Sequence, residues 1–91
     1  MTNEISKSVR SHRGERSLRD LAGGLGLAHQ TISNWESGAI PSLEYLAKNI
    51  KFDGIAENEK IFMVDLINLV ANYEIEKLNN LARSIIAELE Q

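Results

Sequence analysis

Five polar residues in one short stretch, His29, Gln30, Ser33, Asn34 and Ser37, have the types and spacing for recognition by hydrogen bonding. Ile32 and Trp35 lie about one turn apart and would point inward from a helix that begins at Ala28 or His29 and stops at Gly38. The five polar residues are then left on its outer face. The amides of Gln and Asn present a donor beside an acceptor, the pattern that pairs with the exposed edge of adenine, and histidine can bond acceptors on guanine or thymine. The bland alternative for each is an ordinary exposed polar residue, although a merely solvated helix would more often carry Lys and Glu there.

Bond-breaking chemistry finds little support in the chain. His12 and His29 are the only histidines, and neither has metal-ligand spacing to another good ligand. There is no cysteine, which excludes a disulfide scaffold or thiolate metal site and fits a reducing compartment. The glycine-rich GGLG at residues 23–26 lacks both the Lys-Ser/Thr of a phosphate loop and a preceding strand. Neither an enzyme nor a cofactor or metal site is expected. No run approaches the roughly 18 apolar residues of a membrane span, no signal segment opens the chain, and the expected location is the cytoplasm or nucleoid of a bacterial cell.

The elements that must hold the polar face are helices. Ile5, Val9 and His12 or Arg13 recur at helical spacing, and Gly14 ends that first helix. Ser17 is placed as an N-cap with Asp20 three residues on, an imperfect capping box, and Leu18, Leu21, Ala22 and Leu25 form a second helix closed by Gly26. After the third helix, Pro41 or Ser42 opens a fourth, with Leu43, Leu46, Ala47 and Ile50 as its buried stripe. Nothing in residues 1–52 alternates with a period of two, so strands are not expected.

Residues 18–38, LRDLAGGLGLAHQTISNWESG, resemble the Cro and repressor-type helix-turn-helix family of phage and bacterial regulators. Small Ala22 matches the site of close helix approach, Gly26 the sharp turn and Ile32 the anchor of the recognition helix, with Leu21, Leu25, Leu27 and Trp35 at the apolar positions between. The likeness extends over about residues 5–52, the IPSLEYLAK segment resembling the family's fourth helix. It implies an all-α, lambda-repressor-like domain whose recognition helix, Ala28 to Glu36, enters the major groove of double-stranded DNA. His29, Gln30 and Asn34 are the implied base contacts, and Thr31 and Ser33 touch a base or phosphate. It also implies that Glu36 pairs with Arg13, or with Arg10, as a structural link between helices. Arg16, Ser17 and Arg19, near the start of the second helix, are the expected phosphate contacts, since helix amides there favour an anion. The chain departs from the family at Leu18, where glutamine is usual, and in a short Arg13–Ser17 loop. Gly23 and Gly24 within the second helix each cost about 1 kcal/mol relative to alanine, and close approach of DNA or of a neighbouring helix could account for them.

Charge divides the chain. Residues 1–52 hold seven basic and five acidic side chains, whereas 53–91 hold three and eight, within an overall −3. Only the first part can lie on phosphate. The boundary is expected at Phe52-Asp53-Gly54, giving a DNA-binding domain at 1–53 and an acidic, apolar helical segment at 54–91. Residues Ile61 to Val70 are apolar over more than one face. Asn72 is a candidate cap for a last helix in which Ile75, Leu78, Ala82, Ile85 and Leu89 follow 3-4-3-4 spacing. A helical hairpin is favoured for this tail, with a single bent helix over about 57–90 as the alternative. Phe62, Leu66, Leu69, Leu78, Ile85 and Leu89 are the expected dimerisation residues. The reading as a whole is a homodimeric, operator-binding repressor of phage, prophage or plasmid type. The competing one is an antitoxin or antirepressor that works through a regulatory protein partner.

Overall fold

The structure is a computed structural model and describes residues 3–90. Five helices and no strand are present among them: α1 Glu4–Arg13, α2 Leu18–Leu25, α3 His29–Glu36, α4 Leu43–Asn49 and α5 Glu57–Leu89. Three of the four short helices, α1, α2 and α4, open on a side-chain cap. Asn3 and Ser6 form a reciprocal capping box at the start of α1. Ser17 Oγ accepts from the Asp20 amide at 3.0 Å, and Ser42 Oγ from the Tyr45 amide at 3.0 Å. Pro41 therefore precedes α4 rather than lying in its first turn. At the end of α2, Gly26 takes φ 72° and ψ 28°, and the Leu27 amide reaches back to the Ala22 carbonyl at 2.9 Å. That left-handed residue turns the chain from α2 into α3 at a position where a side chain would be strained.

The core is built from all five helices. Ile5 and Val9 of α1, Leu21, Ala22 and Leu25 of α2, Ile32 and Trp35 of α3, and Leu46 with Ile50 meet Phe62, Met63, Leu66 and Val70 of α5. Trp35 stands edge-on to Tyr45, with ring centroids 6.2 Å apart, so it is part of the scaffold. In α4, Leu46 is buried and Leu43 partly so, but Ala47 is exposed. Leu46 and Ile50 alone complete one turn of contact, and Ala47 falls on the far side.

The tail takes the single-helix alternative and not the favoured hairpin. α5 is one helix of 33 residues, about 50 Å long at 1.5 Å per residue, and it spans most of the molecule's 54 Å long axis. Asn72 lies inside it and is exposed. A single asparagine on a solvated helix face costs well under about 1 kcal/mol, which does not outweigh an uninterrupted run of helical hydrogen bonds. Near Asn72, Glu74 serves the N-terminus of α4: its Oε1 accepts from the Leu43 amide at 3.3 Å.

Two expected dimerisation residues are also relocated. Phe62 is 4% exposed and Leu66 fully buried, both in the chain's own core; Leu69 is partly covered by it. Apolar spacing reports that a face must be covered, and here α1 and α4 cover it. From Ile75 to Glu90 every residue is exposed, including Leu78, Ile85 and Leu89.

Candidate nucleic-acid interface

α3 is short and its two faces are sharply divided. Ile32 and Trp35 are buried, while His29, Gln30, Asn34 and Ser37 are exposed and Thr31 and Ser33 half-buried. Gln30 Nε2 donates to Asn34 Oδ1 at 3.1 Å across one turn. The bond leaves the Gln30 carbonyl and the Asn34 amino group free for a ligand, and it sets the two amides in a fixed relation on the outer face. Ala28 supplies no side-chain cap to α3; within the first turn the Thr31 amide donates to the Ala28 carbonyl at 3.1 Å.

The scaffold carboxylate of this helix is Glu36. It is buried to 7% exposure, and Arg13 Nε and Nη2 donate to its two oxygens at 2.7 and 2.8 Å. Arg10 adds a bond from Nη2 to the Glu36 carbonyl at 3.0 Å, and its Nε lies 3.8 Å from the carboxylate. Hydrogen bonding to Glu36 raises the Arg13 guanidinium above its ordinary pKa, so it stays charged. The only carboxylate of α3 is thus neutralised by α1.

The flanking cations do not share one fate. Arg19 is exposed on α2 and makes no ion pair among the described residues. Ser17, also exposed, stands beside it with its hydroxyl oxygen already accepting within the α2 cap. Arg16 is half-buried and tied back to the protein. Its Nη1 donates to Glu59 Oε1 at 2.9 Å, its Nη2 to the His12 carbonyl at 2.9 Å and its Nε to the Arg13 carbonyl at 3.3 Å. These bonds use three of the five N–H donors of the guanidinium, and the side chain is 36% exposed, so Arg16 is tied to the fold while two donors remain.

Glu59 is the residue that sequence reasoning missed. It is 3% exposed, and its Oε1 lies within bonding distance of Arg16, His12 Nε2 at 3.1 Å and Asn58 Nδ2 at 3.3 Å. Oε2 is buried with no partner among the described residues. The His12 ring stacks on Phe62 with centroids 4.1 Å apart and planes within 2°. This cluster fastens the start of α5 to the end of α1. A signal was present: residues 59, 62, 63, 66 and 70 lie on one helical stripe, so Glu59 falls in register with buried apolar residues. A Cβ at Gly24 would sit 3.6 Å from Glu59 Cδ and Oε2, which is ordinary contact, and one at Gly23 would meet nothing within 4 Å. Neither glycine is required by close approach inside the protein.

Chemically, the exposed face of α3 can donate and accept hydrogen bonds and little else. Among the described residues, no three acidic or histidine side chains converge in a way that could hold a metal ion, and no described helix is long and apolar enough to cross a membrane. A family model described as helix-turn-helix matches residues 10–59, a span that takes in α2, the Gly26 turn, α3, α4 and the start of α5. No curated protein and no solved structure gives a significant match.

Proposed function

The chain belongs to the Cro and repressor-type helix-turn-helix family and is a DNA-binding transcription regulator, and we propose that it acts as a homodimeric repressor of operator half-sites. In this reading α3 enters the major groove, where Gln30, Asn34 and His29 contact base edges and Thr31 and Ser33 contact a base or the neighbouring phosphate. Ser17 and Arg19, at the first turn of α2, hold the backbone. The observation that carries it is the division of α3, whose inner face and only carboxylate are consumed by the fold while an uncharged polar face is left outside. A phage, prophage or plasmid setting rests on the family resemblance.

Dimerisation has its own support. A single headpiece with few free cations binds phosphate weakly, and two headpieces on half-sites about 34 Å apart multiply the contacts. Ile75, Leu78, Ile85 and Leu89 are each more than half exposed on the free part of α5, a surface that calls for a partner. The same surface also favours the second reading, an antitoxin or antirepressor that grips another regulator.

Selection of bound duplexes from a randomised pool, by gel shift at several salt concentrations, separates the two. Enrichment of one pseudo-palindromic sequence supports the operator reading. A folded dimer that enriches nothing overturns it in favour of the protein-binding one.

A further inference from the structure

α5 carries two apolar stripes, and only one is used by its own chain. Glu59, Phe62, Met63, Leu66 and Val70 face the core. On the opposite side, positions 61, 64, 68, 71, 75, 78, 82, 85 and 89 follow unbroken 3-4-3-4 spacing over four heptads. Ile61 and Val64, beside the headpiece, are 57% and 51% exposed although their neighbours are buried. The seam therefore starts well before the free tail and runs the length of the helix. Asn68 interrupts it once, exposed, at a position equivalent to Ile61, Ile75 and Leu89, the a sites of the repeat.

We propose that this seam pairs, parallel and in register, with the same seam of a second copy, so that Asn68 meets the partner's Asn68. The proposal rests on the dimeric reading above and adds its geometry. A lone asparagine at an a site is tolerated when it faces another asparagine, and it is a known determinant of register and of two-stranded assembly. Antiparallel pairing sets a sites against d sites, and wherever it covers residue 68 the amide faces an apolar side chain. The flanking positions agree with the parallel arrangement. In a parallel pair, each g residue meets the e residue five positions on in the partner. Lys60 then meets the partner's Asp65, a pair of opposite charges, and Leu81 meets the partner's Ile86, an apolar pair. Ile67, packed against the chain's own core, and Glu74, bonded to the Leu43 amide, stand opposite the partner's Asn72 and the partner's Asn79 without adding to the pairing, and like charges are opposed nowhere along the seam.

The geometry has a consequence for DNA. Parallel pairing places both headpieces, and both copies of α3, at one end of the rod, on opposite sides of a two-fold axis along it. A pseudo-palindromic duplex crossing that end has the matching symmetry.

The chain has no cysteine, so single introduced cysteines report the geometry directly. Asn68→Cys and Leu89→Cys, prepared as separate full-length proteins, are each expected to convert mostly to disulfide-linked dimers on mild oxidation. Both sites are exposed, and circular dichroism confirms that the variants fold. Dimers by light scattering that do not cross-link at either site overturn the parallel register and leave the dimeric reading standing. A monomer overturns both. Asn68→Leu supplies an independent check: the parallel seam predicts a shift from dimers toward higher oligomers, and an unchanged dimer contradicts the role given to Asn68.

Discussion

Arg13 and Glu36 form a two-point ion pair, at 2.7 and 2.8 Å, that joins the end of α1 to the last residue of α3. The pair orients α3 through its C-terminus and neutralises the only negative charge α3 possesses. Its geometry depends on the planar fork of arginine, which lysine cannot reproduce. Arg13→Lys is therefore expected to lower the melting temperature although charge is conserved, and Glu36→Gln to do the same. Thermal denaturation followed by circular dichroism reads both. No change in either would show that the pair is not what fixes α3.

The second prediction concerns Glu59. Its carboxylate is buried among Arg16, His12 and Asn58, and removing one partner of a buried pair strands the other. Glu59→Ala is expected to lose about 1–3 kcal/mol in urea denaturation, because the Arg16 it leaves is itself 36% exposed; an exposed substitution such as Glu57→Ala should stay within about 0.5 kcal/mol. Arg16→Ala should follow Glu59→Ala in stability, whereas Arg19→Ala should leave stability alone and weaken binding to every duplex alike.

Within α3, packing and recognition are separable. Ile32 is fully buried, so Ile32→Ala should cost about 2–5 kcal/mol. Gln30 is exposed, and Gln30→Ala should change stability by less than about 0.5 kcal/mol. Paired denaturation curves check the contrast, and a large loss at Gln30 would mean that its bond to Asn34 serves the fold.

Helices α1 to α4 and the turn between α2 and α3 were legible because their signals are local. Ser17, Gly26, Ser42 and the Ile32–Trp35 spacing each act within one turn of the residue they control. The features that local patterns did not show depend on partners far along the chain. Nothing near Arg16 in sequence announces Glu59, 43 residues away, and nothing near Glu74 announces the α4 amide of Leu43, 31 residues away. Asn72 carries a genuine capping preference that an intact helix overrides. Phe62 and Leu66 show the same limit from another side, since periodicity marks a face for burial without saying whether the chain itself or a second copy covers it.

The exposed tail supports a fourth prediction. Leu78→Asp and Ile85→Asp alter side chains 63% and 51% exposed, so the headpiece should keep its helical spectrum while the doubly substituted chain becomes monomeric. Affinity for a two-half-site duplex should then fall by roughly 10² or more as bivalency is lost. Size-exclusion chromatography with light scattering decides it, and a persistent dimer would place the interface elsewhere.

The central claim is that the outer face of α3 reads DNA sequence. Its most direct test is the ratio of dissociation constants for a selected operator and a scrambled duplex at one salt concentration, measured for the unaltered chain and for Gln30→Ala with Asn34→Ala. The ratio should collapse in the double variant, with about 1–3 kcal/mol of discrimination lost for each contact, while binding to the scrambled duplex stays the same. A ratio that survives both substitutions would contradict the assignment of α3 as the recognition element.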